Sequence, residues 1–135
     1  MCIKNLYQPA SDEKLPHFLK ENITKSIDLT GDAFFLKVFG SNPKVAEVYY
    51  EEFYKKIFYN GTVDLKIKEI IRLRLAGISG CKYCISIDEH SAMKNGVSEV
   101  EIFNAKNNKL DEFDDSLKNI LELVTKVNVY HTSQH

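Results

Sequence analysis

Apolar residues recur every three or four positions along most of this chain, the spacing of amphipathic α-helices. Turn residues such as Thr30-Gly31-Asp32 and Asn60-Gly61 separate these stretches, and no segment alternates as a strand would. The sequence therefore predicts an all-α fold. The predicted helices cover residues 15–29, 34–40, 43–58, 65–78, 80–94, 98–106 and 114–127.

We expect residues 1–135 to form a single domain with a core motif region at 65–103. We expect residues 1–12 to form a loose arm and residues 130–135 a loose tail, because neither segment carries a regular pattern of apolar positions.

The predicted helix starts carry residues whose side chains accept hydrogen bonds from free backbone amides. Asn42 is followed by Pro43 at a first-turn position, and Asp64 and Asp114 precede apolar helical runs. Ser98 and Glu101 have the spacing of a capping box. Ser79 is the predicted N-cap of the helix that carries two cysteines.

The helix predicted over 65–78 is apolar around much of its circumference, which indicates a central and mostly buried helix. Glu69 interrupts one of its apolar stripes. An unpaired buried carboxylate is costly, so Glu69 must be either paired or functional. Candidate partners are Arg72, Arg74 or a neighbouring chain.

Cys81 and Cys84 stand three positions apart, directly after the break Gly77-Ile78-Ser79-Gly80. This places both thiols in the first turns of a helix, where the free amides and the positive end of the helix dipole favour thiolate. A thiolate is the reactive form of cysteine, so this is the predicted site of chemistry.

Two carboxylates are expected beside these thiols. Asp88 lies one turn past Cys84 on the same side of the helix, whereas His90 lies on the far flank. Folding the two helices back along each other about the break brings Glu69 near Asp88. The predicted catalytic set is therefore Cys84, Cys81, Glu69 and Asp88, with a carboxylate removing the thiol proton directly or through one water.

Other interpretations of the cysteine pair stay open at this point. Small cysteines in a helix are often only packing residues. A zinc site would need two more ligands, and none falls at a second paired spacing. The remaining candidate ligands, besides carboxylates, are His90, His17, His131, His135 and Cys2. We expect no metal, and we interpret Cys2 as a bystander thiol.

The bulk composition narrows the function classes. The chain has 18 basic and 19 acidic residues, which gives no electrostatic basis for binding nucleic acid or an anionic membrane. No apolar run approaches membrane-spanning length, and the first residues lack the apolar core of a signal peptide. We therefore expect a cytoplasmic protein, where three cysteines do not build a disulfide framework.

Two segments carry a resemblance to a known family. Residues 65–84 (LKIKEIIRLRLAGISGCKYC) and 92–102 (AMKNGVSEVEI) resemble the carboxymuconolactone decarboxylase family, most closely its AhpD-like alkylhydroperoxidase branch. The resemblance is weaker over residues 32–61 and faint in the last helix. It implies an all-helical, AhpD-like domain that assembles as homotrimers or hexamers. We expect its central helix hairpin to carry the Cys-x-x-Cys motif at the start of the second helix.

The resemblance also implies an activity, that of a Cys-x-x-Cys peroxidase with no bound cofactor. By position, Cys84 matches the peroxide-attacking thiol, Cys81 the resolving thiol and Glu69 the proton-relay glutamate. A lipoyl-bearing protein is the implied dithiol reductant. Lactone decarboxylation is not expected, since the decarboxylases of the family lack the cysteine pair. The alternative is a non-catalytic helical oligomer or binding protein that uses the cysteines as a redox switch or for packing.

One position departs from the family pattern. The family's histidine, four residues after the second cysteine, is Asp88 here. A carboxylate opposes thiolate formation nearby, whereas a histidine can carry positive charge and favour it. The sequence therefore predicts a slow peroxidase whose Cys84 ionises less readily than in a histidine-bearing relative.

Overall fold

The computed structural model describes residues 9–132, with side chains to residue 129, and within this range helices are joined by turns and there is no strand. The all-α prediction is confirmed. Cys2 and most of the predicted arm, together with residues 133–135 of the predicted tail, lie outside the described residues. The α-helices are α1 (His17–Thr30), α2 (Phe34–Gly40), α3 (Pro43–Glu47), α4 (Leu65–Ser79), α5 (Lys82–Lys94), α6 (Glu99–Lys106) and α7 (Asp115–Thr132).

The chain divides into two compact units, Met1–Gly61 and Thr62–His135. Each has its own apolar core. The single-domain organisation over residues 1–135 stays a prediction, and the two units are described in turn.

The first unit packs α1 and α2 around a small aliphatic core. Gly31, at a φ of 72°, ends α1 in the left-handed conformation that glycine adopts without a Cβ penalty. The hydroxyl of Ser26 donates to the Asp32 carbonyl across this turn at 2.6 Å. The buried apolar residues of this core are Leu15, Leu19, Ile23, Ala33, Leu36 and Ala46.

The second half of the first unit differs from the prediction of one α-helix over 43–58. Asn42 caps α3 as expected, but a π-helix follows at Val48–Phe58, and none of its residues is buried. In a π-helix the hydrogen bonds join residues five apart. The rings of Tyr49 and Tyr54 lie 5.0 Å apart at that spacing, and those of Tyr54 and Tyr59 lie 6.1 Å apart. The π-helix therefore occurs together with aromatic contacts between residues five apart. The three- or four-residue spacing of apolar positions used to predict α-helices does not indicate such contacts.

The second unit is built around α4, which contacts α5, α6 and α7. This confirms the central position predicted for that helix. Asp64 caps α4, and its carboxylate accepts from the amide of Lys66 at 2.7 Å. The core residues around α4 are Ile70, Leu73, Ala92, Val97, Ile102, Ala105, Leu110, Leu117 and Leu121.

The turn between α4 and α5 sets the position of the cysteines. The prediction that Ser79 caps α5 is wrong, because Ser79 is the last residue of α4 and its hydroxyl donates back to the Ala76 carbonyl. Gly80 follows in the left-handed conformation, at a φ of 62°, and reverses the chain. The N-cap of α5 is Cys81, one residue before the helix begins.

The remaining predicted helix starts are confirmed. Ser98 and Glu101 form a complete capping box at α6. The carboxylate of Asp114 accepts from the amides of Ser116 and Leu117 at the start of α7. The last helix continues to Thr132, into the segment predicted as a tail.

Candidate functional site

Cys81 and Cys84 are joined in a disulfide at the start of α5, with their Cα atoms 5.3 Å apart. The amide of Cys84 donates to the sulfur of Cys81 at 3.2 Å, so this sulfur acts as the helix cap. The Cys84 amide and the positive end of the α5 dipole therefore lie beside the pair, an environment that stabilises a thiolate after reduction. Both residues are partly exposed, and reagents can reach them.

Glu69 is the most completely enclosed polar residue of α4, with 0% of its surface exposed. Its Oε1 atom accepts from the Ser91 hydroxyl at 2.7 Å and from the Asn95 amide nitrogen at 2.8 Å. Its Oε2 atom accepts from Nη1 of Arg72 at 3.0 Å. The buried charge is thus compensated within the unit, as a buried carboxylate requires.

Arg72 connects Glu69 to a second carboxylate. While Nη1 of Arg72 contacts Glu69, its Nη2 donates to Oδ1 of Asp88 on α5. Of the partners weighed for Glu69 from the sequence, Arg72 is the one observed, and Arg74 instead donates to the Thr125 hydroxyl. The predicted proximity of Glu69 and Asp88 therefore arises through a shared guanidinium.

Asp88 is buried, and its ionisation is perturbed. Burial raises the pKa of Asp88 to about 6, the nearby Arg72 charge opposes that rise, and the Glu69 charge adds to it. Desolvation thus outweighs the ion pair. The neighbouring Glu69 carboxylate therefore contributes to the rise, but burial is its largest cause.

The predicted site residues form two pairs, one of cysteines joined by a disulfide and one of carboxylates joined through Arg72. Cys81 and Cys84 are bonded to each other, and Asp88 lies one turn further on. Glu69 meets α5 at Ser91, which is seven residues past Cys84 and so about 10 Å further along the axis at 1.5 Å per residue. The hydrogen bonds of Glu69 and Asp88 run to Arg72, Ser91 and Asn95. The catalytic roles assigned from the sequence stay predictions.

Sequence reasoning missed Ser91 and Asn95, and it missed that Arg72 joins both carboxylates. The sequence did carry a signal for Ser91 and Asn95. Polar residues recur at the helical spacing of four, three and four positions, at Cys84, Asp88, Ser91 and Asn95. They form one polar stripe along the face of α5 that meets α4. His90 is exposed and lies off this stripe, as predicted.

Metal binding and membrane spanning are two further properties on which the described residues give information. Among the side chains described, those of residues 9–129, there is no group of three or more His, Cys, Asp or Glu arranged to hold a metal ion. Within residues 9–132 no α-helix is both long enough and apolar enough to cross a membrane.

Comparison with known protein families gives a match to the part of the chain that contains the site. Residues 45–109 match the carboxymuconolactone decarboxylase family. The matched segment contains both cysteines, Glu69, Arg72 and Asp88. No curated protein and no solved structure shows significant similarity to the chain. The match confirms the resemblance to the carboxymuconolactone decarboxylase family over these residues, and the AhpD-like branch stays a prediction.

Proposed function

We propose that this protein is an AhpD-like, thiol-dependent peroxidase that reduces hydroperoxides. The observation that carries the proposal is the Cys81–Cys84 disulfide at the start of α5, inside the segment that matches the carboxymuconolactone decarboxylase family. The disulfide is the oxidised state that a two-cysteine peroxidase must pass through in each cycle. Its position beside the Cys84 amide and the positive end of the α5 dipole supports an ionisable thiol in the reduced state.

The proposed catalytic cycle begins with ionisation of the Cys84 thiol. A carboxylate of the site, Glu69 or Asp88, accepts the proton of Cys84, and the thiolate attacks one peroxide oxygen. The O–O bond breaks, Cys84 becomes a sulfenic acid, and the other oxygen leaves as the alcohol after taking up a proton. The thiol of Cys81 then displaces water from the sulfenic acid to form the disulfide. An external dithiol reduces the disulfide by exchange and becomes oxidised.

The partners belong to the same proposal. The substrate is a hydroperoxide, and the reductant is a dithiol such as that of a lipoyl-bearing protein. The cycle uses no bound cofactor, because the two sulfurs carry both electrons. We propose a cytoplasmic location, where reductants can regenerate the thiols. The carboxylate at Asp88 makes us expect slower turnover than in relatives with a histidine there.

Hydroperoxide consumption tests this function. With a dithiol reductant in excess, the unmodified protein is expected to turn over an organic hydroperoxide many times per molecule. Cys84→Ser should reduce consumption to background, and Cys81→Ser should stop turnover after the first oxidation. Cys2→Ser is the matched control and should retain full activity. Turnover that survives Cys84→Ser would contradict the proposal.

A second candidate function is a non-catalytic oligomer or binding protein that uses the cysteine pair as a redox switch. The hydrogen bonding of Glu69 favours it, because a carboxylate with three partners and no exposed surface is also what a purely structural role requires. Thiol counting separates the two functions. A switch would lose two thiols after an oxidant pulse without catalytic turnover, whereas the peroxidase would lose two thiols and also turn over.

Homo-oligomer formation, as a trimer or hexamer, is part of the proposal. Large apolar side chains are exposed in the first unit, and exposed apolar patches often mark interfaces. Light scattering at micromolar concentration should give a multiple of the 15.5 kDa chain mass, and a monomer mass would contradict this part of the proposal. The side chains in question are Phe34, Phe35, Val45, Val48, Phe53, Ile57 and Tyr59.

A further inference from the structure

Three charged groups of the second unit form one chain of contacts between α4 and α5. Arg72 contacts Glu69 through Nη1 and Asp88 through Nη2. Glu69 is itself fixed by Ser91 and Asn95. A planar guanidinium can hold two carboxylates at a set angle, which the single ammonium of lysine cannot do. Glu69 therefore fixes the orientation of the Arg72 guanidinium, and the guanidinium in turn fixes the position of the Asp88 carboxylate.

The two carboxylates stand at different distances from the reactive sulfur. Asp88 is four residues past Cys84 on α5, where side chains share a face with their Cβ atoms about 5–6 Å apart. Glu69 meets α5 two turns past Cys84, about 10 Å along the axis. The carboxylate positioned to exchange a proton with Cys84 is thus Asp88.

We propose that Arg72 is a positioning residue that holds Asp88 as the proton carrier for Cys84, and that Glu69 acts by fixing Arg72. This inference rests on the proposed peroxidase function. Asp88 takes the proton of the Cys84 thiol, which moves one negative charge from the carboxylate to the sulfur. When the thiolate breaks the O–O bond, protonated Asp88 gives that proton to the leaving oxygen, and the alcohol departs neutral.

The electrostatics of the pair suit this role. A proton carrier works best when its pKa lies near the working pH. Burial raises the pKa of Asp88 to about 6, and Arg72 keeps it from rising further, so the group is ionised at neutral pH yet binds a proton readily. The charged groups that act on Asp88 from α4 are Arg72 and Glu69. The nearby α6 charge, Lys106, is paired with Glu89 of α5.

The first test compares two reactions of Cys84 in a protein whose other cysteines are replaced by Cys2→Ser and Cys81→Ser. Alkylation by iodoacetamide expels iodide and needs no proton donor, whereas the peroxide reaction expels an oxygen that must be protonated. Asp88→Asn should leave alkylation at pH 7 as fast or faster, because a negative charge beside the thiolate is removed. It should slow the hydroperoxide reaction by roughly 100-fold, a usual contribution of acid–base catalysis. Equal changes in both rates would overturn the proposal.

The second test follows alkylation of Cys84 against pH. The ionisation of Asp88 should produce an inflection near pH 6, because its charge changes the ionisation of the neighbouring thiol. Arg72→Gln should move this inflection upward by about one to three pH units, since an opposite charge beside the carboxylate is lost. Arg72→Lys retains the charge without the two-pronged contact, so it should move the inflection less while still slowing the peroxide reaction. A merely structural Arg72 would change stability and leave the inflection in place.

The controls keep the two proposals separable. If Arg72→Gln unfolds because Glu69 loses its counter-charge, the double variant Glu69→Gln, Arg72→Gln removes both charges. It should also move the inflection upward, but by less, because the Glu69 charge that raises the pKa of Asp88 is lost as well. If the parent turns over peroxide but the inflection stays in place in a folded Arg72 variant, the proposed role of Arg72 is overturned and the peroxidase function is not. An inflection that moves in a parent without peroxide turnover overturns the peroxidase function and leaves the control of Asp88 by Arg72 standing.

Discussion

The π-helix of the first unit and α4 of the second unit have similar apolar content but opposite environments. The π-helix has no buried residue, and Ile57 within it is 63% exposed. In α4, Ile70 is 1% exposed, and even the charged residue Glu69 is enclosed. The difference shows that an apolar helical pattern indicates a surface able to be buried, whereas burial itself depends on which elements pack against it.

The same contrast applies to the charged side chains. Lys55 and Lys56 of the π-helix pair with Glu51 and Glu52 in exposed contacts four residues apart. In the second unit the guanidinium of Arg72 lies between two buried carboxylates from different helices. Exposed pairs contribute little to stability, whereas breaking a buried pair leaves an uncompensated charge. The charged side chains form a buried cluster only where two helices bring them together away from water.

A matched pair of glutamates gives the largest expected difference. Glu69→Ala removes an acceptor from Arg72, Ser91 and Asn95, and we expect it to lower the free energy of unfolding by about 3–5 kcal/mol. Glu52→Ala, which loses one exposed contact with Lys56, should change it by less than about 1 kcal/mol. Urea unfolding of the oxidised proteins measures both. Similar losses in the two variants would mean that the burial contrast is wrong.

A matched pair of isoleucines probes the apolar side of the contrast. Ile70→Ala should lower the free energy of unfolding by about 2–5 kcal/mol, because it leaves a cavity in the core around α4. Ile57→Ala should change it by less than about 0.5 kcal/mol for an isolated chain. A large loss for Ile57→Ala that grows with protein concentration would show that a second copy covers the π-helix. The comparison would then be one between two buried surfaces.

The helices and their starts could be predicted because they depend on residues close in sequence. Asp64, Ser98 and Asp114 bond to amides two or three positions away, so their roles follow from local spacing. The cap of α5 was assigned to Ser79 because a hydroxyl is the usual cap, and the sulfur of Cys81 takes that place instead.

The contacts between helices could be predicted only in part. The hairpin about Gly77–Gly80 placed Glu69 and Asp88 near each other, but the two groups meet through Arg72, sixteen residues before Asp88 in the chain. Which of several cations reaches a buried carboxylate depends on helix rotation and packing, and neither is encoded in residue spacing. The π-helix at Val48–Phe58 is likewise accompanied by contacts between aromatic rings five residues apart. The spacing of apolar residues in the sequence does not distinguish such a π-helix from an α-helix.

The pH dependence of stability separates the buried carboxylate from the exposed ones. The pKa of Asp88 is raised from 3.8 to about 6, so the folded state binds this proton more tightly than the unfolded state. Its contribution to stability is therefore complete below about pH 4 and is lost as the pH rises through 6. The free energy of unfolding of the parent, relative to Asp88→Asn, should fall by on the order of 2 kcal/mol between pH 4 and pH 7. A difference that stays constant with pH would show that Asp88 is not desolvated.

One predicted helix cap from each unit gives the smallest expected difference between the units. Ser98 forms both halves of a capping box with Glu101, whereas Asn42 accepts a single bond from the amide of Val45 at 3.4 Å. Loss of a cap typically costs about 1 kcal/mol, and less where the bond is long. Ser98→Ala should therefore lower the free energy of unfolding by about 1 kcal/mol and Asn42→Ala by roughly half that. Hydrogen exchange at the first turns of α6 and α3 reports each helix separately. Faster exchange confined to the turn next to each substitution is the expected result, and a larger effect at Asn42 would mean that α3 depends on its cap more than the packed helix α6 does.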